Sequence, residues 1–422
     1  MSRSHTDREW VVTQIGARQH YAVARAIHAE GRLRQLYTDA WCSRGHAVFR
    51  ALPDPFRSFA NRHHPGLPKE AVTAFNLQAF KHRINWKLLP SDSDAARYQH
   101  HVEVGRAFGN DVRRDLKRQG VAPDDLIFFG YDTGCLEVLE WFQGTDGLAI
   151  VDQIDPGRVE KKIVLDEIEQ WPGWATKAPV LHPPHYERIE AEWDLASVIM
   201  VNSEWSRDAL VQQGVPSSKI EIIPIAYEPS DDRSVSPSGS SPGGPFRVLW
   251  LGSVILRKGI QYLVEAARHL PTDSLQIDVV GPLGITDEAV QSAPSNMTFH
   301  GRVPRDEVTE WYRQSDVFVL PTLSDGFAIT QLEAMANGLP VIATSRCGKV
   351  VEDGVNGRIV PAQDADALAR AIDDLAAHPE RLRTMKSRAQ STVQDYHPSV
   401  VVDQLLDMSR KRIKKVASDA RS

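Results

Sequence analysis

The chain has 422 residues, 42% of them hydrophobic and 25% charged, with a formal net charge of −6. This length predicts two or three domains rather than one hydrophobic core. The small negative charge argues against a general nucleic-acid-binding protein, and the absence of an apolar run of about 18 residues argues against a membrane-spanning helix.

The cysteines and the first residues both indicate a cytoplasmic protein. Cys42, Cys135 and Cys347 are far apart and odd in number. This argues for a reducing compartment and against a disulfide framework or a thiolate metal site. The first residues are polar and charged, without the apolar region of a signal peptide.

The first half of the chain alternates predicted strands with predicted helices. A strand over residues 10–15, a turn at Gly16 and a helix over residues 22–30 form the opening unit of a doubly wound sheet. Later strands are predicted at 125–130, 148–151, 198–201 and 220–223, and later helices at 94–119, 134–142, 159–170, 184–196 and 203–213. This order predicts a parallel sheet with right-handed crossovers in a domain that spans residues 1–228.

Residues 43–93 interrupt the alternation with a segment rich in proline, arginine, histidine and phenylalanine. We interpret the segment as an insertion of short helices and loops. Its four histidines lack the helical spacing and the acidic partner of a zinc site, so no metal site is predicted there.

Polar side chains follow two predicted strands of this domain. Asp132 follows the strand at 125–130, while Asp152, Gln153 and Asp155 follow the strand at 148–151. Ligands of open parallel sheets bind beyond the carboxyl ends of the strands. These side chains are therefore candidates for a binding site, although a helix cap or a turn also explains such aspartates.

Residues 229–245 have the composition of a linker, and Val235 is the one side chain among them that a core would bury. A second α/β domain is predicted over residues 246–395. Its strands are expected at 246–251, 275–281, 296–303, 317–320 and 341–344, and its helices at 306–314, 329–336 and 365–377. A last helix is predicted within residues 396–422.

The most informative stretch covers residues 320–344. Its strand stops at Pro321, a turn follows, and a helix then runs towards Gly338. Asp325 and Glu333 lie eight residues apart, one before the helix and one about a turn inside it. A helix N-terminus between two carboxylates suits a ligand with an anionic centre and hydroxyl groups at both ends, such as a sugar nucleotide.

This stretch resembles the carboxylate-x7-carboxylate motif of retaining glycosyltransferases of the GT-B fold, in the family 4 group. Members usually read Glu-Gly-Phe-Gly, whereas this chain has Asp325 for the first glutamate and Ala328 for the second glycine. Upstream, Lys258 matches a family Lys-Gly pair, and Ser253 replaces a family arginine. The resemblance, strongest over residues 246–374, implies two doubly wound parallel-sheet (Rossmann-like) domains that face a cleft.

The resemblance implies a donor site in the second domain. Asp325 would contact the donor sugar, Glu333 would bind the ribose, and Lys258 would pair with the diphosphate, with Arg257 as a substitute for the missing arginine. The other implied donor-binding residues are Gly252, Ser253, Val303, Gly326, Phe327, Ala328, Ile329 and Thr330, with Arg302 and Lys349 as secondary candidates.

The resemblance also implies that the first domain binds the acceptor. Gly16, Arg18 and His20 are candidates because they follow the first strand. Asp155 is the first choice for a catalytic group, since the family often has a histidine near this position. The insertion is then either an acceptor-binding or membrane-facing flap, or a cap packed on the sheet edge.

The function that the resemblance implies is retaining transfer of a hexose-type sugar, as in polysaccharide biosynthesis. The donor would be a nucleotide diphosphate sugar, and the acceptor a hydroxyl of a glycan, a lipid-linked sugar or a small molecule. No cofactor and no metal are expected, because Lys258 and the helix N-terminus after Gly326 would supply the positive charge that the diphosphate requires. The alternatives are a non-catalytic sugar-nucleotide-binding protein and a GT-B sugar-nucleotide epimerase.

The last helix is expected to pack back towards the first domain. Its end is basic, with five lysines and arginines between Arg410 and Lys415. This end is either a solvated basic helix end or a contact with anionic lipid. The expected location is therefore the cytoplasm, with the inner face of the membrane as an alternative.

Overall fold

The structure is a computed structural model that describes residues 8–43, 49, 56–88, 94–177, 179–229 and 244–419. The predicted linker at 229–245 lies almost wholly outside these residues. Within them, two parallel sheets with helices on their faces form two α/β domains of the GT-B type, as predicted.

The first sheet contains seven strands in the order β3-β2-β1-β4-β5-β6-β7. The strands are β1 (Glu9–Gln14), β2 (Leu33–Thr38), β3 (Val72–Ala74), β4 (Leu126–Tyr131), β5 (Leu148–Gln153), β6 (Val198–Val201) and β7 (Ile220–Ile222). All neighbouring pairs are parallel. The strand order reverses between β1 and β4, so the carboxyl ends of these strands border a crevice.

Helices cover both faces of this sheet. They are α1 (Ala22–Ala29), α2 (Asn76–Leu88), α3 (Asp94–Arg118), α4 (Leu136–Phe142), α5 (Arg158–Gln170), α6 (Pro183–Leu195) and α7 (Glu204–Gln212). Ser203 caps α7, because its hydroxyl accepts a hydrogen bond from the amide of Ser206 at 3.0 Å.

The second sheet contains six strands in the order β10-β9-β8-β11-β12-β13. They are β8 (Phe246–Leu251), β9 (Leu275–Val280), β10 (Met297–Gly301), β11 (Val317–Leu320), β12 (Val341–Thr344) and β13 (Gly357–Val360). The helices are α8 (Ile260–Arg268), α9 (Asp287–Gln291), α10 (Val308–Arg313), α11 (Thr330–Ala336), α12 (Ala365–Ala377), α13 (Pro379–Thr392) and α14 (Pro398–Asp419). The order reverses between β8 and β11, directly before the two predicted donor loops.

Several elements were not anticipated from the sequence. The insertion supplies β3, which pairs with β2 and forms the edge of the first sheet. Gly357 begins β13 instead of belonging to a turn, and α13 follows α12. The two strands have only three and four residues, which is too short for alternation of apolar residues to be recognised.

The last helix, α14, lies against α1 of the first domain. Val401, Leu405 and Ile413 are buried in the same core as Trp10 of β1. Arg412 pairs with Glu221 of β7 at 2.7 Å. Helix α14 therefore packs in the core of the first domain, although it follows the second sheet in the sequence.

Candidate functional site

The loop that contains Asp325 touches the first domain directly. A β-carbon added at Gly326 would lie 1.9 Å from the carbonyl oxygen of Ile154 and 3.9 Å from the α-carbon of Asp155. The indole nitrogen of Trp205 donates to the hydroxyl of Ser324 at 3.2 Å. Only glycine fits at this approach of two backbones, so residue 326 marks the point at which the domains meet.

Asp325 and Lys258 form an ion pair at this junction. Both side chains are largely buried, with 15% and 17% of their surface exposed. Lys258 precedes α8, and Asp325 follows β11. The structure therefore brings together the two residues predicted to hold the sugar and the diphosphate of the donor.

Arg257 reaches across to the first domain. Its guanidinium donates to the carbonyl oxygen of Ser324 at 2.7 Å and to the carboxylate of Glu160, on α5, at 3.3 Å. The hydroxyl of Ser324 donates to the same carboxylate at 3.0 Å. Arg257 thus faces the cleft, as its predicted role requires, but its charge is partly balanced by Glu160.

Glu160 belongs to a cluster of three carboxylates. Its pKa is raised to about 7, mainly by burial and also by the charges of Asp155 and Asp325, while Arg257 opposes the shift. Glu160 therefore changes its charge near neutral pH. With Lys258 and Arg257, the cluster combines groups of both signs at the domain junction.

The loop after Asp325 presents backbone donors. In the described part of the chain, no acceptor is recorded for the amides of Gly326, Phe327, Ala328 and Ile329. Ala328 adopts a left-handed conformation with φ of 63°, which costs an alanine about 1–2 kcal/mol. A glycine at this position, as in the family motif, would adopt it without that cost.

Glu333 lies on α11 at the far side of this loop. Its carboxylate accepts a hydrogen bond from the hydroxyl of Tyr312 at 3.1 Å. The negative charge of Glu333 also reaches Tyr227, and burial raises the pKa of this tyrosine. Two tyrosines therefore border the carboxylate that is predicted to bind a ribose.

The other predicted donor residues line the same side of the second domain with different exposure. Gly252 has a φ of 149°, and its carbonyl oxygen would lie 1.7 Å from a β-carbon at Gly281. Ser253 and Arg302 are exposed, whereas Val303 is half-buried against the domain core. Phe327 is buried, and Ile329 and Thr330 are half-buried at the start of α11.

Lys349 points towards the first domain. Its ammonium lies 3.8 Å from Glu204 of α7. Its neighbour Arg346 stacks on Trp205, with 4.9 Å between the guanidinium carbon and the ring centroid. The structure therefore places this secondary donor candidate in the interface between the domains.

The three acceptor-side candidates have different surroundings. The amide of Gly16 donates to Asp39 at 2.8 Å, which fixes the loop after β1. Arg18 lies over the ring of Tyr131 at 5.2 Å, close to the ends of β4 and β5. His20 is exposed, and its backbone is left-handed with a φ of 49°.

Two buried carboxylates lie beside Arg18. Burial raises the pKa of Asp132 to about 7 and that of Asp152 to about 7, although the positive charge of Arg18 opposes both shifts. Asp132 accepts a hydrogen bond from the amide group of Gln153 at 3.0 Å. Asp152 is 2% exposed. These groups hold protons near neutral pH at the switch point of the first sheet.

Asp155 has a structural task in addition to its position in the cluster. Its carboxylate accepts a hydrogen bond from the amide of Gly157 at 2.8 Å, so it is a turn aspartate. It also lines a cleft cavity of about 320 Å³ that includes Tyr98, His185 and Arg257. Burial lowers the pKa of His185 to about 4, so this ring is neutral at pH 7.

The insertion forms a second cavity of about 230 Å³ on the first domain. Ile15 from the loop after β1 and Phe108 of α3 contribute to its walls, together with His82 and Trp86 of α2. The predicted acceptor-side loop therefore adjoins both the sheet edge and the insertion.

Sequence reasoning missed several residues of the site. Glu160, Trp205 and Tyr312 come from three separate helices or helix starts, and no motif marks them. A signal did exist for Glu160, since an acidic residue in the first turn of the helix after Asp155 had to lie near the cleft. Nothing local distinguishes the other two.

Within the described residues, no group of three or more histidine, cysteine, aspartate or glutamate side chains is arranged to hold a metal ion. None of the helices described here is both long and apolar enough to cross a membrane.

Comparison with known proteins identifies the second domain. Residues 245–378 match the model of the family described as "Glycosyl transferases group 1". The second domain is therefore similar to the group 1 glycosyltransferases. The match covers the donor loops and stops before α13, in agreement with the resemblance noted above.

Curated relatives of this chain are named as glycosyltransferases. A D-inositol 3-phosphate glycosyltransferase of Arthrobacter sp. is 34% identical over 221 residues, which are 46% of this chain and 51% of that protein. A GDP-mannose-dependent alpha-(1-6)-phosphatidylinositol monomannoside mannosyltransferase of Mycolicibacterium smegmatis is 27% identical, covering 58% of this chain and 69% of that protein. The chain thus spans about half the length of the first of these relatives.

Solved structures share the fold of this chain over almost its whole length. Anabaena Alr3699/HepE in complex with UDP has a TM-score of 0.57 at 14% identity, covering 96% of this chain and all of that chain. A sucrose-phosphate synthase from Thermosynechococcus elongatus has a TM-score of 0.60 at 19% identity, covering 96% and 98%. At these identities the comparison establishes the GT-B fold alone.

Proposed function

We propose that this protein transfers a hexose-type sugar from a nucleotide diphosphate sugar to an acceptor hydroxyl, with retention of the anomeric configuration. The observation that carries the proposal is the pairing of Lys258 with Asp325 at the domain junction. The loop of residues 326–329, with its backbone amide donors, follows Asp325 in the chain, and Glu333 comes next. These groups match the charge pattern of a sugar, a diphosphate and a ribose.

The diphosphate leaving group requires positive charge and hydrogen-bond donors. Lys258 and the amides of residues 326–329 would supply them, with Arg257 as a second cation. A charge-assisted hydrogen bond is worth about 1.5–3 kcal/mol. When phosphate oxygens replace Asp325 as the partner of the Lys258 ammonium, the carboxylate of Asp325 can accept hydrogen bonds from the hydroxyl groups of the sugar.

The mechanism assigned here is attack on the same face of the sugar from which the diphosphate leaves. The departing phosphate would assist deprotonation of the acceptor, as the resemblance to retaining GT-B transferases implies. Asp155 and Glu160 would border the sugar from the first domain. The proposal needs no metal, since the cations and amides of the chain stabilise the leaving group.

The relatives support this class of donor and acceptor. The names of two of them include an inositol phosphate acceptor or a phosphatidylinositol monomannoside, and one names GDP-mannose. A neighbour in fold is described in complex with UDP. We propose a nucleotide diphosphate sugar as donor and a carbohydrate, polyol or lipid-linked sugar as acceptor, with the reaction on the cytoplasmic side.

Binding of the donor is tested by thermal shift with UDP-, GDP- and ADP-sugars. We expect one nucleotide class to stabilise the protein. Glu333→Ala should weaken that nucleotide by about 1.5–3 kcal/mol, or roughly 10- to 100-fold, because two ribose hydrogen bonds lose their acceptor. Glu288→Ala, an exposed glutamate on α9, is the matched control. Unchanged affinity in Glu333→Ala would remove the ribose assignment.

Catalysis is tested separately by release of the nucleoside diphosphate from the bound donor. Asp325→Asn should reduce turnover at least tenfold while changing nucleotide affinity less, because the carboxylate contacts the sugar rather than the nucleotide. Nucleotide binding without any turnover, with all acceptor classes present, would favour the non-catalytic binding protein. Interconversion of the free sugar nucleotide with its epimer would favour the epimerase.

A further inference from the structure

The outer face of α2 carries a continuous row of exposed apolar side chains. Leu77, Phe80, Ile84 and Leu88 are 70%, 45%, 40% and 78% exposed. A helix turns by about 100° per residue, so Leu77, Ile84 and Leu88 fall within about 40° of one another and Phe80 lies beside them. They therefore form one stripe along the helix, which we call the α2 stripe.

The opposite face of α2 is packed, so the orientation of the stripe is fixed. Ala79 is buried, and His82 and Trp86 line the cavity under the insertion. The rings of His82 and Trp86 lie 5.7 and 5.5 Å from the ring of His100 on α3. Rotation of the helix to bury the stripe would expose these three aromatic rings.

No comparable row occurs elsewhere in the described chain. The other large apolar side chains with high exposure are Val180, Leu181, Val211, Leu283, Val355, Ile359 and Val400. They stand singly or as one pair on separate elements, which is normal for a protein surface. Four such residues on one face of one helix indicate a contact with something apolar.

The charged residues of α2 itself are all positive. Residues 76–88 contain Lys81, Arg83 and Lys87 and no acidic residue, in a chain whose net charge is −6. Lys81 and Lys87 fall on the two edges of the stripe, about 40° beyond its outer members or closer. Both are exposed. An apolar stripe between lysines fits the boundary between lipid headgroups and acyl chains.

We propose that α2 docks this protein on the surface of an anionic lipid bilayer. The helix would lie parallel to the membrane, with the α2 stripe among the acyl chains and Lys81 and Lys87 at the phosphates. The size of the stripe argues against a protein partner. A helix of 13 residues is about 20 Å long, and one of its faces covers far less than the ~800 Å² per partner of a stable protein interface.

Docking in this manner would place the cavity beneath α2 next to the bilayer. Ile15, which follows β1, belongs to the wall of that cavity. A lipid-linked acceptor would then reach the first domain without leaving the membrane. This consequence rests on the proposed function, whereas the docking itself does not.

The basic end of α14 is not the surface proposed here. Arg412 pairs with Glu221 at 2.7 Å, and Lys411 pairs with Asp407 at 2.7 Å. The buried side chains of α14 face the first domain's core. Lys411 and Arg412 are therefore engaged in ion pairs, and they do not border an exposed row of apolar side chains.

The proposal is tested by co-sedimentation of the full chain with vesicles of phosphatidylcholine, with and without phosphatidylglycerol. We expect binding to the anionic vesicles. The triple variant Leu77→Ser, Ile84→Ser, Leu88→Ser should lose at least tenfold in partitioning. The matched control is Val211→Ser, Val355→Ser, Val400→Ser, which removes three exposed apolar side chains from other elements and should bind as the wild type does.

Charge is tested by Lys81→Glu together with Lys87→Glu, which should abolish the preference for anionic vesicles. Nucleotide-induced thermal shifts on the same samples show whether the variants are folded and whether the donor site is intact. Equal binding of the triple variant and the wild type, or no binding of the wild type to either vesicle, would overturn the proposal. Self-association that depends on the α2 stripe without lipid would assign it to a second copy and overturn it as well.

Discussion

At the scale of single residues, the site is defined by charges that compensate one another. Lys258 pairs with Asp325, and Arg257 pairs with Glu160. A bound diphosphate would replace the carboxylates as partner of these cations. The ion pairs therefore keep two cations in place at the junction, where neither would be stable if buried alone.

The clearest prediction at this scale concerns Asp152. Burial raises its pKa to about 7, above the value of about 3.9 in an unfolded chain. The folded protein thus holds a proton that the unfolded chain releases, and this contribution to stability decreases as the pH rises from about 4 to 7.

Asp152→Asn should therefore stabilise the protein more at pH 8 than at pH 5. A difference of at least about 1.4 kcal/mol, one pKa unit, is expected. Thermal unfolding at both pH values measures it, with Asp287→Asn on the surface of α9 as the control. An equal effect of Asp152→Asn at the two pH values would show that its carboxyl is ionised throughout.

At the scale of elements, the important feature is the loop between β11 and α11. Its backbone approaches that of the loop after β5, and this approach leaves room only for a hydrogen at Gly326. The close approach of the Asp325 loop to the first domain therefore depends on the absence of a side chain at residue 326.

Gly326→Ala should separate the two loops. Its methyl group would lie 1.9 Å from the oxygen of Ile154, so the backbone must shift. We expect turnover to fall at least tenfold, because a displacement of about 1 Å has such an effect on catalysis. Nucleotide affinity should change less, since the second domain provides those contacts.

Calorimetric titration with the nucleoside diphosphate and a turnover assay distinguish the two effects. Gly134→Ala is the matched control, since its methyl group would lie 3.3 Å from the side chain of Ile15. Full turnover in Gly326→Ala would mean that the domains need not touch at this loop during the reaction.

At the scale of the whole molecule, ionic and aromatic contacts connect the two domains across the cleft. Glu160 pairs with Arg257, Lys349 lies near Glu204, and Arg346 stacks on Trp205. In addition, α14 from the end of the chain is part of the first domain's core. These contacts make the relative position of the domains sensitive to charge.

The pKa of Glu160 leads to a prediction of how the pH changes the affinity for a nucleotide. Its pKa, raised to about 7 mainly by burial, means that the cluster gains one negative charge between pH 6 and 8. Affinity for an anionic nucleotide should therefore decrease over this range. Glu160→Gln should bind more tightly at pH 8 and show a flatter pH dependence.

The measurement is the dissociation constant of the nucleoside diphosphate from pH 6 to 8 in both proteins. Because the ligand titrates identically in the two series, their difference isolates Glu160. Glu288→Gln serves as the surface control. The same slope in the wild type and in Glu160→Gln would show that Glu160 does not titrate in this range.

Much of the fold could be predicted from the sequence. The strands β8, β11 and β12 and the helix α12 have the predicted bounds, because continuous apolar runs between glycine and proline residues identify buried parallel strands. The motif that contains Asp325 and Glu333, with Lys258 upstream, was sufficient to indicate a candidate donor site and the resemblance to the family. Local pattern determined these features, since each depends on residues close together in the chain.

Only the tertiary structure showed which residues share the site. Glu160, Trp205 and Tyr312 are far from the motif in the sequence, and the fold alone brings them to it. The sequence left the insertion that contains α2 as either a flap or a packed cap, and only the exposure of its apolar residues identifies them as a surface. Burial, charge proximity and exposure are properties of the packed chain, so the pKa of Glu160 and the α2 stripe had to be found in the structure.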